Sequence, residues 1–348
     1  MKSLLSSRKP KRAHPPAVQR LLKRSGDGAQ LARRALERGI EIDLTPKEYL
    51  KLTYRGETHR FKKGWSTLST PIAVRCARQK EITSRLLRHR GFPAPENAVF
   101  APGEAERAFT WAEPILPVAV KPHAANRGKL VHIGLKGEDD FATAFERVAR
   151  EYGAVLVEEQ IPGDDYRFSL VQDRVVGITR RAPAHVIGDS TTTVEDLIAR
   201  KDAARRDNPV HPRIRMDDIL HDMLEQAGYT LDDVPPEGET VWLRGAANVA
   251  SGGEATEVSD VIAKDYIEMV EEASRGFPGL GIAGYDIMIT GDPTLGDGQA
   301  TILEVNPSPD LSPHYFPWSG PSRDVYGAVL DAMFPETSQT ASSVGTGR

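Results

Sequence analysis

The stretch ILEVNPSPDLSPHYFPWSG, residues 302–320, contains an apolar run that a carboxylate and an amide interrupt. Glu304 and Asn306 are two residues apart, so in a β-strand both side chains leave the same face. A second apolar run, GIAGYDIMI at 281–289, contains Asp286, and a turn-rich link joins the two runs. We therefore predict an antiparallel pair of strands that brings two carboxylates and one amide together.

The three side chains Asp286, Glu304 and Asn306 offer hard oxygen donors. Mg²⁺ prefers such donors, with Mn²⁺ as a substitute, and it usually binds substrate phosphates as well. The alternative interpretation is structural, with each carboxylate held in a salt bridge or capping a turn. Because a buried, unpaired carboxylate is costly, a purely structural strand would carry apolar residues here. The pattern therefore favours a metal site.

Four cationic side chains lie where they could bind a phosphate group. Lys121 ends a predicted strand and Lys80 lies on a predicted helix, although each alone is more often a surface lysine. Arg181 and Arg244 lie at strand ends, and a guanidinium can bind an oxyanion through two parallel hydrogen bonds. The sequence SGG at 251–253 could present backbone amides to a phosphate.

The periodicity of the chain predicts a mixture of helices and strands. Predicted helices cover 29–40, 71–90, 139–151, 191–200, 216–227, 264–274 and 323–333. Predicted strands cover 117–121, 155–161, two runs around a turn at Gln172–Asp173, 281–289 and 300–306. The segment YRGETHRFKKGW, residues 54–65, is predicted to be a hairpin.

The composition is that of a globular protein, with 348 residues, 39% hydrophobic, 27% charged and a net charge of −4. This length predicts two or three lobes, and the net charge provides no field that would attract nucleic acid. The sequence contains no apolar run long enough to cross a membrane. The single cysteine, Cys76, excludes an intrachain disulfide and fits a cytoplasmic protein.

Both ends of the chain differ from the rest in composition. The first 26 residues carry eight Lys or Arg and no Asp or Glu. We predict that 1–28 is a disordered basic tail, and the alternative is an arm that docks on an acidic partner. The polar segment 336–348 is predicted to be a second disordered tail.

Seven stretches together resemble the ATP-grasp ligases, in particular the ATP-grasp module of cyanophycin synthetases and bifunctional glutathione synthetases. In chain order they are RQKEITSRLLRHRGFPAP, VAVKPHAANRGK, VLVEEQIPGDDYR, RAPAHVIGDSTTTVEDLI, LDDVPPEGETVWLRGAANVASGG, AGYDIMI and ILEVNPSPDL. The similarity runs from about Gly39 to Pro335. Their shared order and spacing are more specific than any single motif.

The resemblance implies an α+β ATP-grasp fold that holds ATP between two α+β lobes. The implied parts are a reduced N-terminal lobe at 29–90, a central lobe at 91–162, and a C-terminal lobe at 163–335 with an inserted segment at about 200–240. ATP and Mg²⁺ are the implied cofactors.

The resemblance also implies roles for individual residues. Lys80 and Lys121 match the lysines that contact ATP phosphates, and Asp286, Glu304 and Asn306 match the magnesium ligands. At the nucleotide, Glu158 with Glu159 beside it matches the carboxylate near the adenine amino group. Ile161 matches the backbone hinge at the adenine edge, and Asp165 matches the acid that holds the ribose hydroxyls.

The reacting centre is implied on the C-terminal lobe. The region that binds the γ-phosphate and the acyl phosphate is matched by Arg244, Asn248, Ser251, Gly252 and Gly253. Arg181 and His185 match the segment that faces the reacting centre, and His185 is a candidate base for the amine.

Two places depart from the family pattern. The phosphate-covering loop HAANRGKLV, residues 123–131, keeps only Gly128, and Ala125 and Leu130 stand where glycine is common. We expect a loop that is stiffer or covers ATP less closely. After the EVN motif, Asp310 stands where glycine is usual, and we expect it to read a cationic group of a substrate.

The resemblance implies an ADP-forming carboxylate–amine ligase that joins amino acids or peptides through an acyl phosphate. We expect a single ligation, because the chain leaves no length for the additional domains of cyanophycin synthetase. We also expect a homo-oligomer. Two alternatives remain open: an ATP-grasp macrocyclase or modifier of a ribosomal or carrier peptide, and a nucleotide-binding subunit without catalytic activity.

Overall fold

Helices and strands follow one another along the chain in a computed structural model that describes residues 14–45, 49–123 and 130–338. The helices are α1 Pro16–Leu22, α2 Asp27–Glu37, α3 Pro71–Arg78, α4 Lys80–His89, α5 Ala105–Ala112, α6 Glu138–Tyr152, α7 Val194–Arg205, α8 Asp218–Gln226, α9 Lys264–Ser274, α10 Ser312–Tyr315 and α11 Val325–Met333. The strands are β1 Glu41–Leu44, β2 Leu50–Tyr54, β3 Glu57–Lys62, β4 Trp65–Ser66, β5 Asn97–Phe100, β6 Val118–Pro122, β7 His132–Leu135, β8 Val155–Glu159, β9 Asp164–Val171, β10 Arg174–Ala182, β11 His185–Ile187, β12 Thr240–Trp242, β13 Glu254–Glu257, β14 Ile282–Ile289 and β15 Ala300–Asn306.

The larger sheet has five antiparallel strands in the order β13-β10-β9-β14-β15. The predicted strand pair is confirmed as β14 and β15, and the predicted turn at Gln172–Asp173 joins β9 to β10. Alternate apolar residues such as Phe168, Tyr285 and Ile302 are buried with α3, α4 and α9 in one hydrophobic core. Because side chains alternate along a strand, polar residues occupy the opposite face.

A β-bulge at Leu303 decides where Glu304 points. Ile302 lies opposite Ile287 and Glu304 lies opposite Asp286, so the register skips Leu303. In a regular strand Ile302 and Glu304, two residues apart, would share one face. The extra residue keeps Ile302 in the core and turns Glu304 to the polar face beside Asp286.

The central sheet has the order β5-β8-β6-β7 and carries α5 and α6 on one face. Val120 and Val157 lie opposite each other and pack with Phe141 and Phe145 of α6. The predicted strands and the helix of this lobe are confirmed, and β8 ends at Glu159. One face of this sheet is therefore core, and the other is free to carry polar residues.

The chain passes from the central sheet into the larger sheet through the short link 160–163. Gly163 lies at the end of this link with a φ of +124°, a conformation that favours glycine. A Cβ at this position would lie 2.6 Å from the carbonyl oxygen of Ile289. The glycine therefore allows the link to approach β14 closely.

The prediction of a single helix at 71–90 is wrong. Gln79 is extended, with φ −96° and ψ 101°, and separates α3 from α4. The hydroxyl of Thr83 lies 3.4 and 3.5 Å from two carbonyl oxygens in the last turn of α3, which have no partner within that helix. Neither proline nor glycine marks the break, so periodicity could not reveal it. As a result, Lys80 becomes the first residue of α4.

The predicted N-terminal lobe, 29–90, has no separate core. The predicted hairpin at 54–65 is confirmed within the sheet β1-β2-β3-β4. This sheet and α2 share their hydrophobic core with α11 and with Val171 and Ile282 of the larger sheet. The boundary at residue 90 is therefore wrong as a division between lobes, because local patterns do not show which core a strand will join.

The inserted segment begins earlier than predicted. Residues 183–243, which include β11, α7, α8 and β12, enclose a hydrophobic cluster of their own around Val186, Ile198 and Leu224. The range of about 200–240 was too narrow because β11 is three residues long and its partner β12 lies at the far end of the segment. We call residues 183–243 the inserted lobe.

The expectation of a disordered tail at 1–28 is wrong for its second half. Helix α1 begins at Pro16, and its residue Val18 is fully buried. Leu21 and Leu22 pack against the core shared by α2 and α11, which provides the apolar contact that the charged composition concealed. Residues 1–13 lie outside the described residues.

The second predicted tail is also ordered at its start, since Thr337 is fully buried in a 3₁₀ turn at Pro335–Thr337. Residues 339–348 lie outside the described residues. Among the residues that are described, no helix combines the length and the apolar character that a membrane span needs.

A buried carboxyl, Asp27, connects α2 to the segment after β15. Its Oδ1 accepts a 2.7 Å hydrogen bond from the hydroxyl of Tyr326 and a 3.2 Å bond from the amide of Leu311. Burial raises the pKa of Asp27 from 3.8 to about 8, and the negative charge of Asp310 adds to the rise. The protonated form therefore stabilises the fold. This contribution is complete below pH 3.8, declines as the pH rises and is lost above about pH 8.

We predict that Asp27→Asn removes this pH dependence, because asparagine keeps the Oδ1 acceptor and has no proton to lose. Each pKa unit corresponds to about 1.4 kcal/mol, so the wild type should lose several kcal/mol of unfolding free energy between mildly acidic and alkaline pH, relative to the variant. Urea unfolding at a series of pH values measures this difference. The exposed Asp207→Asn serves as a control, and parallel curves for wild type and Asp27→Asn would contradict the prediction.

Candidate active site

Eight charged side chains meet between the central sheet, the larger sheet and α4. Four are cations and four are carboxylates, so the group can balance its own charge. We call this group the charge cluster, and its members are Lys80, Lys121, Arg167, Arg181, Glu158, Asp165, Asp286 and Glu304.

The central sheet contributes a lysine and a glutamate to the charge cluster. Lys121 of β6 and Glu158 of β8 lie on the face opposite the valine core and form an ion pair. The second carboxylate oxygen of Glu158 accepts a 3.3 Å hydrogen bond from the side-chain amide of Asn97 on β5. Glu158 is only 6% exposed, so both of its oxygens need these partners.

Helix α4 contributes Lys80, whose ammonium donates a hydrogen bond to Glu304. Burial alone would lower the pKa of Lys80, but the charges of Glu304, Glu158 and Asp286 outweigh it and raise the pKa above the ordinary value. Lys80 therefore stays protonated and links the carboxylates of the two sheets. The helix break at Gln79 places it there.

Asp286 is held by two guanidinium groups. Arg167, opposite it on β9, bonds both of its oxygens, and Arg181 Nη2 lies 3.1 Å from Oδ2. Burial would raise the pKa of Asp286, but the two arginines keep it well below the usual range. Sequence reasoning missed Arg167; the signal was its position two residues after Asp165, on the same face of a predicted strand.

Asp165 shares Arg181 with Asp286. Arg181 Nε and Nη2 lie 3.0 and 2.6 Å from Asp165 Oδ1. Burial raises the pKa of Asp165 to about 6, because the attraction of Arg181 offsets only part of the desolvation and Asp286 repels a second negative charge. Arg181 thus couples the two carboxylates.

The three residues proposed to hold a metal lie on the neighbouring strands β14 and β15. Asp286 faces Glu304, and Gly284 faces Asn306, in the register of β14 and β15. The Asn306 Oδ1 accepts a 3.0 Å bond from the amide of Ser308. Within the described ranges no three acidic, histidine or cysteine side chains are gathered to hold a metal by themselves. The donor set nevertheless fits a hard divalent cation that also takes phosphate oxygens, because its present partners are cations that phosphates can bind.

A second polar group forms where the inserted lobe meets β13. Buried Glu254 lies 2.7 Å from Lys201 Nζ, 3.2 Å from Arg205 Nη2 and 3.8 Å from His185 Nε2. His185 Nδ1 lies 2.8 Å from the carbonyl of Pro183, so Nδ1 carries the proton and Nε2 is the basic nitrogen. Burial lowers the pKa of His185. Among the described residues, His185 forms no hydrogen bond or ion pair with a member of the charge cluster.

Arg244 follows β12 and is only 6% exposed. Its Nη2 donates a 2.8 Å bond to the carbonyl of Arg215 and lies 2.8 Å from Asp217 Oδ1. Its Nη1 is buried and lacks a hydrogen-bond partner in the described part of the chain. A buried donor without an acceptor is costly, so this atom suits an oxygen supplied by a ligand.

The expectation that the loop 251–253 presents its amides to phosphate is wrong for this conformation. The amides of Ser251 and Gly253 donate to the carbonyl of Asn248 at 3.1 and 3.0 Å, and that of Gly252 donates to Val249 at 3.1 Å. The glycines have a steric reason instead: a Cβ on Gly253 would lie 2.8 Å from the same Asn248 oxygen. The amides are engaged because the chain closes a tight turn here.

The predicted nucleotide residues at the end of β8 lie on the link between the sheets. Glu159 Oε2 accepts a 3.1 Å bond from the amide of Glu96, and Ile161 is half-buried. Of the glycine-poor loop, residues 124–129 with Ala125 and Gly128 lie outside the described residues. Leu130 adopts a φ of +48°, a conformation that glycine favours.

Asp310 is engaged within the chain. Its Oδ1 accepts bonds from the amide and the hydroxyl of Ser312 at 3.0 and 2.6 Å, at the start of α10. Its negative charge also acts on Asp27. These contacts give Asp310 a structural role, and the expectation that it reads a cationic substrate group stays a prediction.

Arg205 fastens the inserted lobe to the loop before β13. It is 2% exposed, and its Nη2 donates to the carbonyl of Gly252 at 2.7 Å and to Glu254 at 3.2 Å. Its guanidinium also lies 4.9 Å from the centre of the Trp318 ring. No local sequence pattern predicted this role for Arg205, because its partners lie far along the chain.

We predict that Arg205→Met lowers the free energy of unfolding by about 3 kcal/mol, because it leaves buried Glu254 and the carbonyls of Pro212, Gly252 and Gly253 with fewer donors. The exposed neighbour Arg206→Met is the matched control and should change stability by no more than about 0.5 kcal/mol. Urea denaturation measures both values. Equal losses in the two variants would show that Arg205 does not fasten the lobe.

The amino-acid sequence of this chain is similar to parts of known biosynthetic enzymes. No family model matches the chain. It is 33% identical over 313 residues to the cyanophycin synthetase of Trichormus variabilis, and 30% identical over 318 residues to the glutathione biosynthesis bifunctional protein of Streptococcus thermophilus. These matches cover 88% and 87% of this chain but 34% and 42% of the relatives. The chain therefore spans between a third and a half of their length.

The fold has a solved counterpart. The crystal structure of a bifunctional glutathione synthetase from Pasteurella multocida superimposes with a TM-score of 0.64 and 26% sequence identity. The superposition covers 89% of this chain and 43% of that chain. The similarity of fold thus extends over most of this chain.

Proposed function

The chain has the ATP-grasp fold and resembles the ATP-grasp ligases in sequence, as predicted, and from this premise we propose that it is an ATP-dependent carboxylate–amine ligase. It would join amino acids or peptides through an acyl phosphate and release ADP and phosphate. The single observation that carries the proposal is the charge cluster, in which four cations neutralise four carboxylates in the space between the sheets.

Such a cluster is suited to receive a triphosphate together with a divalent cation. The phosphates would take the cations Lys80, Lys121 and Arg181, while Asp286 and Glu304, released from them, would hold Mg²⁺. Asp286 and Glu304 would exchange cationic side chains for the metal ion, so these two carboxylates keep a counter-charge. Bound Mg²⁺ would neutralise part of the charge on the triphosphate. Asn306 would join the metal ligands by giving up its bond to Ser308.

The nucleoside would lie against the link between the sheets. Glu158 and the backbone of Ile161 are proposed to bind the adenine edge, with Glu159 fixing the strand end through its bond to Glu96. Asp165 is proposed to accept from the ribose hydroxyls. Arg181 bonds Oδ1 of Asp165 in the described structure, and both oxygens would be available to the ribose once the phosphates take Arg181.

In the reaction, a substrate carboxylate attacks the γ-phosphorus, and the bond to ADP breaks to give an acyl phosphate. An amine then attacks the acyl carbon, and phosphate leaves. The chain's own contribution is positioning and charge stabilisation. Arg244 is proposed to donate from its unpartnered Nη1 to the transferring phosphoryl oxygens. His185 Nε2 is proposed to receive the proton that the amine loses.

We predict that Asp286→Asn and Glu304→Gln each reduce turnover by at least about a hundredfold, because each removes a negative charge from the metal site. ADP release at varied magnesium concentration measures the effect. Asp164→Asn, an exposed neighbour of Asp165 that pairs with Arg180 on the surface, is the control and should retain activity. Near-normal turnover of both site variants at low magnesium concentration would show that the metal binds at another site.

The route of carboxylate activation gives the sharpest test of the proposed function. With a substrate whose carboxylate carries heavy oxygen, we expect one labelled oxygen in the released phosphate and one ADP for each amide formed. Mass spectrometry of phosphate and product measures both. Formation of AMP, or label in AMP, would contradict an acyl phosphate. A product formed only on a large carrier or precursor peptide, with free amino acids inert, would favour the peptide modifier instead.

A further inference from the structure

A cavity of about 460 Å³ opens beside the charge cluster, between β4 and the end of α3. Its lining combines a larger apolar part with polar side chains: Trp65, Ser66, Ser69, Pro71, Val74, Arg75, Arg78 and Gln79. Neither the metal site nor the nucleotide site described above uses any of these residues. Its volume falls within the range of small-molecule sites in proteins.

Two arginines give the cavity its charge. Arg75 and Arg78 are three residues apart on α3 and therefore lie on one face of the helix. In the described ranges neither has a carboxylate partner or a side-chain hydrogen bond, whereas the four cations of the charge cluster are all paired. The guanidinium of Arg78 lies 4.5 Å from the centre of the Trp65 ring, which orients it at the cavity.

The hydroxyls of the lining add donors to the same space. Ser69 Oγ accepts a 3.0 Å bond from the amide of Gly281, and Ser66 Oγ accepts a 3.3 Å bond from the amide of Leu68. Each oxygen is already an acceptor, so each hydroxyl hydrogen is available to donate to a ligand. The cavity thus combines donors with uncompensated positive charge, which is the environment that an anion requires.

Two residues that line the cavity are chain neighbours of residues that contact β15 or the segment after it. Gln79 directly precedes Lys80, which bonds Glu304. On the other side, Gly64, next to Trp65, packs so closely on the segment after β15 that a Cβ would lie 2.5 Å from the carbonyl oxygen of Pro309. Gln79 and Trp65 therefore connect the lining directly to residues that contact β15 or the segment after it.

We propose that this cavity binds a carboxylate of a substrate that the reaction does not consume, with Arg75 and Arg78 as the residues that select it. A guanidinium matches the planar carboxylate with two parallel hydrogen bonds, and two guanidinium groups on one helix face can hold both of its oxygens. This inference rests on the proposed function, because it makes the ligase specific for acidic substrates. The carboxylate could belong to the acyl donor or to the amine acceptor, and the chemistry of recognition is the same.

Binding is tested without catalysis, by isothermal titration calorimetry of the full chain in the absence of ATP. Glutarate is the probe, its neutral diamide glutaramide is the matched ligand, and inorganic phosphate is a third. We expect saturable binding of glutarate and much weaker binding of the other two. Arg75→Gln and Arg78→Gln should each weaken glutarate binding about tenfold or more, since each removes a charged donor. Arg85→Gln, an exposed arginine on α4 outside the lining, should leave it unchanged.

Fluorescence locates the bound probe. Glutarate should change the tryptophan emission of the wild type, and Trp65→Phe should abolish this change. The proposal is overturned if the wild type shows no saturable binding, if glutaramide or phosphate binds as well as glutarate, or if Arg85→Gln weakens binding as much as the two lining variants.

The ligase assay then identifies the source of the carboxylate. If Arg75→Gln and Arg78→Gln raise the KM of the acyl donor, the carboxylate belongs to the donor; if they raise the KM of the amine, it belongs to the acceptor. Unchanged KM values for both substrates would overturn the proposal even if glutarate binds. A chain that forms no ADP with any substrate would instead refute the proposed function, and the calorimetric result would stand by itself.

Discussion

The buried ion pairs of the charge cluster are the constraint on which the rest of the structure depends. A buried carboxylate without a counter-charge is strongly unfavourable, and Asp286 lies on the polar face of the larger sheet with very little exposure. Arg167 and Arg181 make that position tolerable, and Lys80 does the same for Glu304. The pair Lys80–Glu304 also ties α4 to β15 of the larger sheet.

A self-neutralised cluster has a consequence for binding. A ligand that brought only negative charge would displace carboxylates and leave them without partners, and a cation alone would do the same to the arginines and lysines. A ligand that carries both kinds of charge exchanges every pair at once, which keeps the desolvation cost low. A nucleotide and a metal ion that arrive as one complex would be such a ligand.

Two irregularities of the backbone put the charges in place. The bulge at Leu303 turns Glu304 away from the core, and the break at Gln79 makes Lys80 the first residue of α4. Neither position is a glycine or a proline, so each irregularity is maintained by packing on both sides and not by local preference. The inserted lobe is fastened in a similar way, by the buried guanidinium of Arg205 and not by its short strands.

The sequence by itself determined most of the elements, since alternation and helical periodicity are local properties. It also predicted that Asp286, Glu304 and Asn306 lie on a pair of neighbouring strands, but it did not predict the bulge at Leu303. Only the tertiary structure decided which core the first ninety residues join, where the inserted lobe begins, and that Arg167 and Arg181 hold Asp286. It also decided that the backbone amides of residues 251–253 donate hydrogen bonds within their own turn. These outcomes depend on partners that are distant in sequence, and the free energy of burying a charge or closing a core is fixed by those partners and not by neighbouring residues.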